Sequence, residues 1–197
     1  MSKRRRASRI LGACFLSVVC AIPAIAFDLE SLLQALAPAG RSEINFEESR
    51  YISSLTEPLE SRGRFIFEPP DRLIKVVEEP RHERAVIEED RLALFDEQNR
   101  EVASIDLWLQ PDMRMIFGSV KAMLKGDVSA LKSAFWVSLK GSESDWHLNL
   151  NPKTDPVNTR LERIAVTGRS NKIERMEVVK DNGDRYLIRF LSKAKDQ

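Results

Sequence analysis

The stretch from Pro58 to Leu73, PLESRGRFIFEPPDRL, constrains the fold more than any other part of this sequence. Arg64, Phe65, Ile66 and Phe67 alternate as a strand does, and Pro69-Pro70-Asp71 then forbids its continuation. The strand must end in a fixed corner, and a second strand begins at Leu73. Gly63, at the entry of the first, marks a bulge or a close backbone approach.

The same alternation recurs along the chain. Strands are predicted from Ser42 to Leu55, Pro58 to Phe67, Leu73 to Glu78, Arg84 to Glu88, Arg91 to Phe95 and Val102 to Trp108. Glu89-Asp90 and the segment from Asp96 to Asn99 supply hairpin turns between them. Strands resume with Phe135 to Leu139, Trp146 to Leu150, Leu161 to Thr167, Ile173 to Val179 and Tyr186 to Leu191, with Asn182-Gly183 as the strongest hairpin signal. Charges at Glu48, Arg62, Arg64 and Glu88 are assigned to outward positions, giving one wet and one apolar face. About eleven short strands favour a highly curved antiparallel sheet, an incomplete barrel, over a flat one.

Two segments carry the helical period instead. Leu29, Leu32, Leu33 and Leu36 form one stripe, with Asp28 as the cap and Phe27 positioned to pack on Leu32. Pro111 to Ala134 interrupts the strands. There Met113, Ile116, Phe117, Val120, Met123 and Leu124 repeat at helical spacing, Asp112 is the expected cap, and Gly126-Asp127 separates two helices. The methionine-containing stripe is either ordinary core or the inner face of a movable lid. Helices inserted into a curved sheet bury their stripes on its concave side, so the expected fold is mainly β with an α lid.

The first residues are set apart. Lys3, Arg4, Arg5, Arg6 and Arg9 precede an apolar run from Ile10 to Ala21, and Ala24-Ile25-Ala26 has the small-residue pattern of a cleavage site. The run is well short of the roughly 20 residues that span a membrane. Residues 1–26 are therefore expected to be a secretory signal peptide and 27–197 one domain. Cys14 follows Arg9 too closely to be a lipid-attachment site. Without the five basic leader residues, 26 basic residues face 30 acidic ones, a balance of −4. That sign disfavours a nucleic-acid partner. Both cysteines lie in the leader, so no disulfide, thiol nucleophile or thiolate metal site is expected in the domain.

Catalysis is not expected. His82 and His147 belong to no zinc pattern or nucleophile turn, and no glycine-rich phosphate loop is present, so neither cofactor nor metal is anticipated. Aromatic side chains, by contrast, are spread over many elements and need cover, which an acyl chain would supply.

Several motifs, in order, carry a resemblance: Phe46-Glu47-Glu48-Ser49-Arg50; Pro58-Leu59 with Ser61; Gly63 with Phe65 and Phe67; Pro70 with Leu73; then Pro80, Ser144-Asp145-Trp146, the hairpin from Ile173 to Val179 and Tyr186-Leu187-Ile188. Together they resemble the LolA-like family of periplasmic lipoprotein carriers. The resemblance implies an incomplete barrel whose helical lid covers a hydrophobic cavity, acting as a monomer. It implies as cargo an acylated lipid or lipoprotein, moved from an inner-membrane exporter to an outer-membrane acceptor. Phe46, Phe65, Phe67, Leu73, Trp108, Met113, Ile116, Phe117, Val120, Met123, Trp136 and Trp146 are the expected lining of cavity and lid. An arginine that bonds the lid is implied just before the corner proline; this chain has Pro69 there. A lipid-sensing module that binds a protein partner remains the alternative on the same fold.

Overall fold

A computed structural model describes residues 27–153 and 159–191; the expected leader lies outside the described residues. Eleven antiparallel strands form one sheet. They are β1 (Ser42–Tyr51), β2 (Leu59–Glu68), β3 (Arg72–Glu79), β4 (Glu83–Glu88), β5 (Arg91–Phe95), β6 (Glu101–Asp106), β7 (Phe135–Ser142), β8 (Asp145–Pro152), β9 (Leu161–Arg169), β10 (Lys172–Lys180) and β11 (Arg185–Leu191). Their spatial order is β6-β5-β4-β3-β2-β1-β11-β10-β9-β8-β7. Two meanders are thus joined where β1 pairs with β11, and the sheet is not closed.

This order dictates where the helices go. The chain leaves the sheet at one edge, β6, and re-enters at the opposite edge, β7. The intervening segment must therefore cross the opening. It does so as a short 3-10 turn (Leu107–Leu109), α2 (Pro111–Lys125) and α3 (Val128–Ala134), against which α1 (Leu29–Leu36) also packs. Local chemistry sets the helix ends. Asp28 and Ser31 form a reciprocal capping box at α1, Gly126 closes α2 in the left-handed conformation with φ 69°, and Asp127 Oδ1 accepts from Ala130 N at 2.8 Å to start α3. The expected Asp112 cap is corrected: the N-cap of α2 is Gln110, without a side-chain hydrogen bond, and Asp112 instead ties the first turn of α2 to Thr159 and Arg160 before β9 and to Lys180 at the end of β10.

Register shows which side chains share the covered face. One row runs from Ser42 through Phe67, Leu73, Ile87 and Leu92 to Ile105. In the other direction, Glu48 is followed by Ile188, Met176, Val166, Leu148 and Leu139. Glu48 is therefore not an outward charge as expected from the sequence. It is in phase with Ile44 and Phe46, is 5% exposed, and pairs with Lys75 at 2.5 Å.

Beneath α1, α3 and the inner side of α2 lies the largest core cluster, containing Leu32, Leu33, Phe46, Met123, Leu131 and Trp146. Leu73, Ile87, Leu92 and Leu107 form a second one under the β3–β6 half. Phe65 and Val120 touch both, at the junction between them. Strand crowding needs two glycines in particular. A Cβ on Gly63 would stand 1.9 Å from the Val76 carbonyl oxygen, and one on Gly168 would stand 2.5 Å from the Trp146 ring. The register shift between Arg62 and Gly63 places a bulge at this close approach.

Candidate functional site

At the junction of sheet and α2 lies a cavity of about 440 Å³. Phe65 and Phe67 from β2 and Leu73 from β3 form one wall. The chain turns between β2 and β3 at Pro69-Pro70-Asp71, which brings Leu73 beside Phe67. Ile116, Phe117, Val120 and Leu124 from α2 face it, one stripe at helical spacing. Met176, Ile188 and Phe190 close it from β10 and β11. Its rim is the loop after α1, with Ala37 and Pro38, and the β9–β10 turn, with Asn171 and Lys172. The lining is mostly apolar, with Ser42, Glu43, Asn171 and Lys172 as its polar members, and suits a hydrocarbon chain.

Six of the twelve residues expected at the cavity thus meet there: Phe65, Phe67, Leu73, Ile116, Phe117 and Val120. Phe46 stands behind the wall, its ring centroid 4.7 Å from that of Phe65. Met123 and Trp146 belong to the core: both are buried, and the Trp146 indole N–H donates to Ser170 O at 3.0 Å. Trp108, Met113 and Trp136 are on the surface. Trp108 lies under the Arg114 guanidinium and Trp136 under the Lys153 ammonium, at 3.3 and 4.5 Å. Leu36, Ile44, Ile173, Met176, Ile188 and Phe190 also line the cavity, though the sequence placed none of them there. Alternation marks an inward face on β10 and β11, but only the β1–β11 pairing brings Met176, Ile188 and Phe190 near β2.

Two carboxylates hold α2 over the cavity. Asp71, at the corner, accepts from Lys121 Nζ and from Glu89 N, both at 3.0 Å, and lies 3.4 Å from Lys125 Nζ. Lys121 also donates to the Glu89 carbonyl at 2.7 Å, so one ammonium ties α2 to two strand turns. Burial would raise the Asp71 pKa, but the hydrogen bond and charge of Lys121, with Lys125 behind it, hold it below the ordinary value. At the other end of α2, Asp112 accepts from Thr159 Oγ1 at 2.7 Å and Arg160 N at 2.9 Å, and pairs with Lys180 at 2.8 Å. Its pKa is likewise lowered, with Lys180 and Thr159 outweighing burial. Where the resemblance implies an arginine reaching to the lid, this corner has reversed the polarity: the acid is on the sheet and the lysines are on the helix.

The sequence matches the family described as outer membrane lipoprotein carrier protein LolA-like over residues 21–196. The chain belongs to this family. No curated protein matches it. Among solved structures, this LolA-like chain is similar to a LolA superfamily protein from Nitrosomonas europaea, at 11% identity over 86% of this chain and 92% of that one, with a TM-score of 0.46. A putative outer membrane lipoprotein-sorting protein domain from Vibrio parahaemolyticus is similar at 10% identity, 85% and 93% coverage and TM-score 0.40. The MucA/MucB complex of Pseudomonas aeruginosa gives 15% identity, 87% of this chain, 60% of that one and TM-score 0.44. Among the described residues no helix is long and apolar enough to cross a membrane, and no group of three or more His, Cys, Asp or Glu side chains could hold a metal ion.

Proposed function

We propose that this LolA-like protein is a periplasmic carrier that receives the acyl chains of a lipid or lipoprotein and ferries them from the inner to the outer membrane, without catalysing a reaction on them. The observation that carries this reading is the apolar cavity between β2–β3, β10–β11 and α2. Each methylene moved from water into it is worth roughly 0.8 kcal/mol, so ten contribute about 8 kcal/mol before the cost of association. An inner-membrane exporter as donor and an outer-membrane acceptor complete the route.

Mass spectrometry of organic extracts from the purified protein tests the proposal, together with displacement of a fluorescent acyl probe. The wild type is expected to bring lipid with it and to bind the probe. Val120→Trp, which fills the cavity from the α2 side, is expected to weaken probe binding about tenfold or more while the fold persists. Absence of both extracted lipid and probe binding in the wild type would refute the carrier and favour a module that binds a protein partner.

A further inference from the structure

The covered face is built differently at its other end. Successive cross-strand rows there contain Phe46, Gly63 and Val77, then Glu48 and Ser61. A second, larger groove of about 680 Å³ overlies them. Its lining includes four cations, Arg50, Lys75, Arg81 and Arg84. Four carboxylates, Glu48, Glu83, Asp96 and Glu97, balance them. At its floor Glu48 Oε2 accepts from Lys75 Nζ at 2.5 Å and from Ser61 Oγ at 3.1 Å.

Lys75 stands in an otherwise apolar row, between Phe65 and Ala85. Its ammonium lies 4.9 Å from the Phe46 ring centroid and 5.7 Å from that of Phe65. Lys75 lines this groove and Phe65 lines the acyl cavity, so the two compartments approach each other at this cation–ring contact. Stability does not explain a buried ion pair here, since well-packed apolar residues of similar volume commonly do as well or better. What the pair supplies is capacity: an ammonium has three donors and a carboxylate about four acceptor sites, more than each uses on the other.

We propose that this groove is the head-group subsite for the same amphipathic cargo, and that it takes an uncharged, hydroxyl-rich head such as a sugar or glyceryl group. The inference rests on the acyl-carrier reading. The lining interleaves cations with carboxylates, and Lys75 and Asp96 already face opposite charges at Glu48 and Arg100; a hydroxyl, which donates and accepts at once, matches such a lining better than a head of one sign. Val77 and Leu94 supply apolar surface for the C–H faces of such a head. The acyl chain lies in the cavity on the Phe65 side, and its head is held on the other side of that ring by Lys75 and Glu48.

The test compares three probes with the same dodecyl chain, below their micellar concentrations, on delipidated protein: dodecyl maltoside, dodecanoate and dodecyltrimethylammonium. The wild type is expected to bind the maltoside about tenfold more tightly than either charged probe. In the Lys75→Met/Glu48→Gln double variant, which removes both charges together, the preference is expected to fall to about twofold or less with dodecanoate affinity retained. Glu48→Gln alone, nearly isosteric, serves the same comparison if the double variant does not fold. Equal binding of all three probes by the wild type, or a preference that survives both variants, would overturn the subsite. Failure of every probe to bind the wild type would overturn the carrier reading and the subsite with it.

Discussion

Asp71→Asn isolates the corner latch with little change of shape. The amide retains an oxygen for the Glu89 N–H, so the loss is confined to the charge facing Lys121 and Lys125. Hydrogen bonds to charged groups contribute about 1.5–3 kcal/mol. The Asp71 side chain is 28% exposed, Lys121 13% and Lys125 42%, so solvent screening brings the Lys121 pair toward the low end and leaves Lys125 little. A cost of about 1–2 kcal/mol raises the open population of α2 roughly 5- to 30-fold. Hydrogen exchange of the α2 amides and the rate of acyl-probe uptake are the measurements. Both are expected to rise while β8 to β10 keep their protection. A double-mutant cycle with Lys121→Met is expected to show coupling of about 1 kcal/mol.

Acid adds a second handle on the same contact. The folded Asp71 pKa is depressed, so its stabilisation is complete above the ordinary carboxylate pKa and is lost as pH falls through the lowered value. Wild-type α2 exchange, corrected for its intrinsic pH dependence, is therefore expected to accelerate below about pH 4. Asp71→Asn should remove much of that response, and Asp112 accounts for the remainder. Unchanged α2 protection in Asp71→Asn, or acceleration shared equally by every strand, would refute a latch acting locally on the helix.

Two further substitutions separate frame from lid. Met123→Asp places an unpaired carboxylate at a position 1% exposed in the main cluster and is expected to cost more than about 4 kcal/mol, read as loss of the cooperative urea transition; a native-like transition would show that α2 lifts without exposing core. Gly63→Ala forces a carbon against the Val76 carbonyl oxygen and is expected to cost about 2–3 kcal/mol in urea unfolding. Gly40→Ala, whose added carbon meets no atom within 4 Å, is expected to be near neutral by the same measurement.

Much of the frame was legible because its signals are local. The Pro69-Pro70 corner, Gly63, Asp28, Gly126 and the Asn182-Gly183 hairpin all act within a few residues, and each has its expected structural effect. Strand existence followed from alternation, although β1 stops at Tyr51 rather than Leu55, and the segment after β6 tightens into a 3-10 turn at Leu107 instead of continuing to Trp108. The site was legible only in part. Helical spacing placed Ile116, Phe117 and Val120 on one face of α2, but the same spacing included Met123, which turns to the core, and Met113, which reaches the surface. Size and hydrophobicity alone do not distinguish a cavity wall such as Phe65 from a core residue such as Trp146, or either from an exposed Trp136 stacked under a lysine.

Alternating side chains, the Pro69-Pro70 corner and two helical stripes determined by themselves that the chain forms a long antiparallel sheet with helices laid on it. Those features bias φ and ψ, or the faces of a single element, and need no distant partner. Only the tertiary structure decided that β1 meets β11, that the helices cross from β6 to β7, and that Glu48 is drawn inward to Lys75. The cavity is the space left between those elements. Its walls come from residues far apart in the chain, and no local pattern encodes the distance between them.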